Sequence, residues 1–169
     1  DRTLTKMNTK VVYVLTSTLS DTYLEQMWIS IYSLRLVQPD AFIQVVTDRQ
    51  TSETLKGTRS AWQSLIDNVL IIDCPAEYNS LLRSRYLKTN LRSLLSGDYL
   101  FVDTDTVFGA PIQEIDQIEG DICGVLDHVQ SRLNRSYASF SRAEKLGWGE
   151  RIGDQPYINT GILLVRDTV

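Results

Sequence analysis

"YLFVDTDTVFGAP", residues 99–111, joins an apolar run to two aspartates that stand one residue apart. The apolar run is typical of a buried strand. Asp103 and Asp105 end that strand, and side chains two apart on an extended chain point the same way. Ligands of open α/β sheets bind at the carboxyl ends of the strands, so the segment predicts a carboxylate pair at a ligand crevice.

Three further strands are predicted before this segment. Apolar, β-branched runs at 11–15, 41–48 and 69–73 are each followed by polar or helix-breaking residues, a pattern typical of short strands that are buried on both faces. Strands that alternate with amphipathic helices predict an α/β fold, with a central, mostly parallel sheet flanked by helices.

Two helices between these strands have clear boundaries in the sequence. One follows the first strand, with Ser20 or Asp21 as its N-cap and an apolar face at helical spacing. The other is leucine-rich, begins at Asn79 or Ser80, and is predicted to continue to Gly97 as a left-handed cap. This second helix leads directly into the strand that carries the aspartates.

The chain after the aspartates predicts fewer regular elements. "PIQEIDQI" indicates a short helix, "DICGVL" a strand, residues 128–157 a polar loop-rich region, and "YINTGILLV" a last strand. The length of 169 residues and the lack of an internal linker predict one domain over residues 1–169. Because the sequence stops just after an apolar run, we expect this domain to be truncated at its C-terminus.

Net charge, the lengths of apolar runs and cysteine spacing limit the classes of function that the sequence is compatible with. The formal net charge of −4 argues against a nucleic-acid partner, because binding to a phosphate backbone requires a basic excess. No apolar run approaches the length of a membrane span or of a signal segment, which predicts no transmembrane segment and a cytoplasmic location, with the Golgi lumen as the alternative. Cys74 and Cys123 lack the spacing of a zinc site or a disulfide framework.

The carboxylate pair predicts a cation site. Two like charges a few ångströms apart disfavour each other's ionised form unless a cation lies beside them. Carboxylate oxygens suit magnesium, manganese or calcium, and such ions commonly link carboxylates to the oxygens of a diphosphate. The alternative is a turn in which Asp103 and Asp105 cap nearby backbone N–H groups.

Basic residues on the second helix point to the same ligand class. Arg85, Lys88 and Arg92 stand at i, i+3 and i+7, on one helix face, and no acidic residue occurs between Glu77 and Asp98. Such a face can neutralise a diphosphate. The alternative is a solvated face, or arginines that pair with acids elsewhere in the chain.

The segment "TSTLSDTY", residues 16–23, supplies polar groups where the first strand ends and a helix begins. Helix N-termini favour polar or anionic ligands. Hydrogen bonds from Thr16 and Ser17 and stacking on Tyr23 can hold a planar base. Alternatively, Tyr23 is a surface residue of the first helical turn.

Three segments together resemble the nucleotide-sugar glycosyltransferases of the GT-A fold, and are most similar to family 8, the group of the glycogenins and bacterial galactosyl- and glucosyltransferases. They are "VVYVLTSTLSDTYLEQMWISIYSLRLVQPDAFIQVVTD", "RYLKTNLRSLLSGDYLFVDTDTVF" and "YINTGILLV". The middle segment is the most specific, because a tyrosine and a basic residue on a helix, a Gly-Asp turn and a DxD strand occur in that order. The last resembles the family's Asn-x-Gly strand.

The resemblance implies a transferase that moves a hexose from a nucleotide-diphosphate sugar, a UDP-sugar, to a glycan, lipid or protein acceptor with retention of configuration. It implies a manganese (or magnesium) ion held by Asp103 and Asp105, and a third metal ligand, a histidine, beyond Val169. The implied donor-binding residues are Thr16, Ser17 and Tyr23 at the base, Thr104 at the ribose, Lys88 or Arg85 at the donor, and Asp127, Asn159, Thr160 and Gly161 at the sugar. Asp48 either lines the base pocket or is a turn aspartate.

Two other functions remain open from the sequence. "FVDTDTV" also fits the DxDx(T/V) motif of phosphatases of the haloacid dehalogenase type, in which Asp103 would be the nucleophile and Asp105 the acid. That family places the motif on its first strand, whereas three strands are predicted to precede it here. The other alternative is a non-catalytic domain that binds a nucleotide-sugar or a metal.

Overall fold

The computed structural model describes residues 6–126 and 158–168. Strands and helices alternate through the first hundred residues, as predicted, because apolar β-branched runs alternate with amphipathic segments. The strands are β1 (Lys10–Leu15), β2 (Ile43–Asp48), β3 (Asn68–Ile72), β4 (Tyr99–Val102), β5 (Ile122–Leu126) and β6 (Ile158–Val165). The α-helices are α1 (Tyr23–Val37), α2 (Arg49–Thr54), α3 (Ser80–Thr89) and α4 (Leu91–Leu94), with 3₁₀ helices at Gly57–Leu65 and Gln113–Gln117.

The strands form one six-stranded sheet in the order β3-β2-β1-β4-β6-β5. β1 runs parallel to β2 and β4, with Val11 opposite Ile43 on one side and Leu100 on the other. β3 is parallel to β2, and β6 is antiparallel to β4. The predicted α/β fold with a mostly parallel sheet is therefore confirmed.

Contacts along the chain divide it into two compact units. The first consists of Asp1–Cys123 with Gly161–Val169, and the second of Gly124–Thr160. Within the described residues, the second unit holds the last residues of β5 and the first residues of β6. The core and the cleft described below belong to the first unit.

β1 is the centre of the first unit because both of its faces are buried. Val11, Tyr13 and Leu15 face one side, and Val12 and Val14 face the other. Fully burying an aliphatic side chain stabilises a fold by about 1.5–3 kcal/mol. Because its two faces lie in different clusters, β1 contributes such burial to two cores. The first core includes Leu24, Met27, Ile31 and Leu34 of α1, and the second includes Leu87 and Leu91 of α3 and α4.

The first helix begins later than the sequence predicts. α1 starts at Tyr23, and Thr22 occupies the N-cap position without a capping hydrogen bond from its side chain. The predicted N-caps, Ser20 and Asp21, were therefore wrong. The Asp21 carboxylate accepts a hydrogen bond from Thr18 in the preceding loop as well as one from the Tyr23 amide. None of the helices among residues 6–126 and 158–168 combines the length and apolarity needed to cross a bilayer.

The second predicted helix is interrupted. α3 begins after Asn79, whose side chain accepts a hydrogen bond from the Leu82 amide at 2.9 Å, as predicted. It ends at Thr89, and the Asn90 side-chain amide donates to the Tyr86 carbonyl at 2.8 Å. Asparagine commonly competes in this way with the helical hydrogen-bond ladder. Gly97 has the predicted left-handed conformation, with φ of +73°, but it lies in the turn before β4 rather than at a helix end.

Candidate functional site

A cleft of about 290 Å³ opens where β1 and β4 end. Four residues predicted to bind the nucleotide lie in its wall, on elements far apart in sequence: Thr16 after β1, Tyr23 at the start of α1, Lys88 on α3 and Thr104 after β4. The full lining is Val14, Thr16, Tyr23, Ser80, Leu81, Ser84, Lys88 and Thr104.

Lys88 connects the cleft to the aspartates. Its Nζ lies 2.6 Å from Oδ1 of Asp103 and 5.4 Å from the centre of the Phe101 ring. The two charged side chains are 38% and 34% exposed. Solvent screens a pair of this kind, so it contributes at most about 1 kcal/mol to stability. Its main effect is to fix the position of the Lys88 ammonium group at the cleft.

Asp103 and Asp105 do not lie on an extended chain. β4 ends at Val102, and the Thr106 amide donates to the Asp103 carbonyl at 3.2 Å, so residues 103–106 form a turn. The premise that both side chains leave one face of a strand was therefore wrong, because β4 ends at Val102 and the chain turns between Asp103 and Thr106. Asp103 is half-buried and Asp105 is exposed.

The aspartate turn is fixed to β6. The Asp103 amide donates to the Gly161 carbonyl at 2.7 Å, which continues the antiparallel pairing of β4 and β6 by one bond. No cluster of three or more His, Cys, Asp or Glu side chains suited to a metal ion occurs among the described residues. Within that part of the chain, an ion at Asp103 and Asp105 would therefore have no third His, Cys, Asp or Glu ligand.

The predicted basic face is not formed as one surface, because the helix is interrupted at Asn90. Arg92 belongs to α4, where its guanidinium donates to the Gly97 carbonyl at 3.2 Å and to Asp167 at 2.8 Å. Arg92 is therefore tied to the C-terminal segment. Arg85 is exposed on α3, and its guanidinium has no hydrogen-bond or ion-pair partner among the described residues. Lys88 is the member of the set that lies at the cleft.

The loop between β1 and α1 is organised by one carboxylate. Asp21 accepts hydrogen bonds from the Thr18 amide at 2.6 Å, the Thr18 hydroxyl at 2.7 Å, the Ser17 hydroxyl at 2.8 Å and the Tyr23 amide at 3.2 Å. Partial burial raises the pKa of this carboxyl, but the hydrogen bonds from Thr18, Ser17 and Tyr23 outweigh burial and hold the pKa below its ordinary value.

Thr16 and Ser17 have different surroundings although they are adjacent. Thr16 lines the cleft, and its hydroxyl oxygen is buried without a hydrogen-bond partner among the described residues. Ser17 is only 2% exposed and lies outside the cleft lining. The Ser17 amide donates a hydrogen bond to the Thr51 hydroxyl oxygen, 3.1 Å away. Thr16 is therefore part of the cleft wall, whereas Ser17 supports the loop.

A buried ion pair lies next to this loop. Asp48, which is 1% exposed, lies 3.1 Å from Nε of Arg83 and caps α2 by accepting hydrogen bonds from the Thr51 amide and hydroxyl. Asp48 is thus a cap of the following helix, as in the turn interpretation, and it does not line the cleft. Thr51 also contacts Ser17. The Asp48–Arg83 pair therefore supports the loop between β1 and α1 through Thr51.

The residues implied at the donor sugar are placed only in part. Asp127 lies outside the described residues. Asn159 and Thr160 are on β6, in the second unit, and Gly161 is on the same strand but in the first unit. The Asn-x-Gly segment therefore reaches the aspartate turn through the Gly161 carbonyl.

Four cleft residues were missed by sequence reasoning: Val14 on β1, and Ser80, Leu81 and Ser84 on α3. A signal for two of them exists, because Ser80 and Ser84 precede Lys88 at successive intervals of four residues and therefore share its helix face. Serine is too common on helix surfaces for that spacing alone to indicate a site.

The strand order, the antiparallel β6 and the cleft at the ends of β1 and β4 define a class: the chain has a GT-A-like glycosyltransferase fold. Two solved structures of the galactosyltransferase LgtC share it, one in complex with donor and acceptor sugar analogs and one of an active-site variant. Their TM-scores are 0.61 and 0.60, at 15% and 16% identity over 93% and 94% of this chain. This chain spans 57% of the length of each.

A glycosyltransferase from Streptococcus pneumoniae TIGR4, GlyE, is also similar. Its TM-score is 0.51 and its identity 16%, over 95% of this chain and 35% of its own. No protein-family model matches the sequence, and no curated protein is significantly similar to it. The phosphatase alternative requires the DxD motif on the first strand, whereas Asp103 follows the fourth.

Proposed function

We propose that this chain forms the donor-binding part of a glycosyltransferase, which moves a hexose from a UDP-sugar to a glycan, lipid or protein acceptor with retention of configuration. The observation that carries the proposal is the cleft, because it gathers Thr16, Tyr23, Lys88 and Thr104 from four separate elements. The similarity to LgtC, which was solved with donor and acceptor sugar analogs, supports the same reaction class.

The cleft is chemically suited to a nucleoside. Four hydroxyl-bearing residues, Thr16, Ser80, Ser84 and Thr104, line it, which gives the wall the polar character that a ribose or a base needs. Tyr23, which is 52% exposed, offers a ring face for a base. A few convergent polar groups in a concave, partly apolar wall are typical of small-molecule sites.

Charge at one end of the cleft suits a diphosphate. Lys88 supplies an ammonium group there, and exposed Arg85 lies one helical turn before it on α3. As the glycosidic bond breaks, negative charge develops on the departing nucleoside diphosphate, and a cation positioned in advance stabilises that charge. Lys88 would serve this purpose, and its contact with Asp103 holds it in position beforehand.

A divalent ion fits the remaining groups. The oxygen donors of Asp103 and Asp105 suit Mn²⁺ or Mg²⁺, and neighbouring Thr104 brings the turn to the cleft wall. The two carboxylates would hold the ion. When bound, the ion supplies Lewis-acid stabilisation of the diphosphate.

Binding measurements test the proposal directly. Calorimetric titration of the chain with UDP, UDP-galactose and UDP-glucose, with and without Mn²⁺, should show binding that Mn²⁺ strengthens. Asp103→Asn and Asp105→Asn should each remove the Mn²⁺ dependence, whereas Glu119→Gln, the same charge change at an exposed residue outside the cleft lining, should retain it. Equal donor affinity in all four proteins, or no binding to the wild-type chain, refutes the proposal. If the chain binds the donor, an assay for sugar transfer or donor hydrolysis would distinguish an enzyme from a non-catalytic binding domain.

A further inference from the structure

Arg59 contacts the loop that forms one wall of the cleft without lining the cleft itself. Its Nη2 lies 3.2 Å from the Ser17 hydroxyl and 3.0 Å from the Thr18 carbonyl oxygen, to which it donates. Its Nη1 lies 3.9 Å from Glu25 of α1. The side chain is 18% exposed and is absent from the cleft lining.

The backbone of Arg59 is held in place by the core. Arg59 belongs to the 3₁₀ helix Gly57–Leu65, and its carbonyl accepts a hydrogen bond from the indole N–H of Trp62 at 2.8 Å. Trp62 is completely buried. Because large core side chains sit in fixed rotamers, the guanidinium projects from a rigid base towards the loop.

The loop has ligand-facing residues at both ends. Thr16 and Tyr23 line the cleft, and the residues between them are held by the Asp21 carboxylate within the loop and by Thr51 and the Arg59 guanidinium outside it. The Ser17 hydroxyl contacts both groups, because it donates to Asp21 at 2.8 Å and accepts from Arg59. Removing Arg59 therefore loosens the loop at the Ser17 hydroxyl and the Thr18 carbonyl, while Asp21 and Thr51 still hold it.

We propose that Arg59 is a positioning residue of the nucleotide cleft, acting through Ser17 and Thr18 to hold Thr16 and Tyr23 in the geometry that binds a nucleoside diphosphate. The inference rests on the proposed function. A planar guanidinium with several donors can bridge two acceptors at once, which a lysine ammonium on a flexible stem does less well. The role is therefore specific to arginine.

The test compares Arg59→Met with Arg35→Met, a matched control. Arg35 also bridges a helix to neighbouring chain, through the Leu65, Pro39 and Ala41 carbonyls and Asp67, and it does not line the cleft. We expect Arg59→Met to weaken UDP binding about fivefold to tenfold, the equivalent of about one hydrogen bond. Arg59→Lys should fall between it and wild type. Arg35→Met should lower the unfolding midpoint and leave UDP affinity within about twofold, since it removes bonds away from the loop.

Two further readouts separate positioning from general destabilisation. Amide hydrogen exchange of the ligand-free protein should quicken over residues 17–23 in Arg59→Met, and not in Arg35→Met. The effects of Arg59→Met and Ser17→Ala on UDP affinity should be less than additive, because each removes the same contact. If wild type binds UDP and Arg59→Met binds it equally well, or exchange over 17–23 is unchanged, the inference is overturned and the proposed function stands. If wild type binds no nucleoside diphosphate, both are overturned.

Discussion

Replacing Lys88 with methionine should change two affinities in opposite directions. In the ligand-free protein the Lys88 ammonium lies 2.6 Å from Asp103, so it occupies the carboxylate that is proposed to hold the metal ion. Lys88 also lines the cleft, where it is proposed to meet the diphosphate. Methionine keeps much of the side-chain length and removes the charge. The ion should therefore bind more tightly alone, and the nucleotide should bind less tightly.

The structure sets the size of both effects. The side chains of Lys88 and Asp103 are 38% and 34% exposed, and such screened ion pairs contribute about 0.2–1 kcal/mol. Removing this competition should tighten Mn²⁺ binding by up to about fivefold. A charged hydrogen bond to a phosphate is stronger, about 1.5–3 kcal/mol, so UDP affinity should fall by at least about tenfold.

Two titrations on one protein sample measure both effects. Electron paramagnetic resonance counts free Mn²⁺ in the absence of nucleotide, and calorimetry gives the UDP affinity in the absence of metal. Lys10→Met is the control, because Lys10 contacts the Ser96 carbonyl and lies outside the cleft lining. Mn²⁺ affinity that falls in Lys88→Met would refute competition at Asp103, and unchanged UDP affinity would refute contact between Lys88 and the diphosphate.

Stability measurements check two other features. Arg83→Met should lower the free energy of unfolding by about 3–5 kcal/mol, because it leaves the buried Asp48 carboxylate without its cation. Chemical denaturation should show a smaller loss when Asp48→Asn is added, and a larger loss would contradict the ion-pair account. Asp21→Asn should destabilise the protein at pH 7 but progressively less below about pH 4, because a lowered pKa contributes stability that is lost as the folded carboxyl becomes protonated. A difference in unfolding free energy that is constant from pH 7 to pH 3 would exclude that role.

The sequence predicts those features that depend on neighbouring residues. The apolar β-branched runs of β1 and β4 require burial on both faces, so the layered α/β fold follows from local pattern. Thr16, Tyr23, Lys88 and Thr104 could be predicted together because each lies at a strand end or on a helix beside one. Parallel topology brings such positions to one edge of the sheet.

Features that depend on distant residues were not predictable. Ser17 and Thr16 look equivalent in sequence. Ser17 can be buried because its amide donates to Thr51, 34 residues later, and its hydroxyl accepts from Arg59, 42 residues later. At Asn90 the side-chain amide bonds the Tyr86 carbonyl, and the sequence alone does not decide between that bond and an uninterrupted helix. The turn at Asp103 depends on where pairing with β6 ends, which the apolar run does not encode.

The residues that form the cleft walls lie far apart in sequence, and this separation determines when the cleft can form during synthesis. Pairing of β1 with β4 joins Lys10 to Tyr99, and a nascent chain completes that pairing only after β4 has left the ribosome. Such non-local pairings form slowly. The proposed nucleotide ligand can therefore not assist the early steps of folding. Its stabilising effect through mass action would begin only when Thr104 has joined Thr16 in one wall.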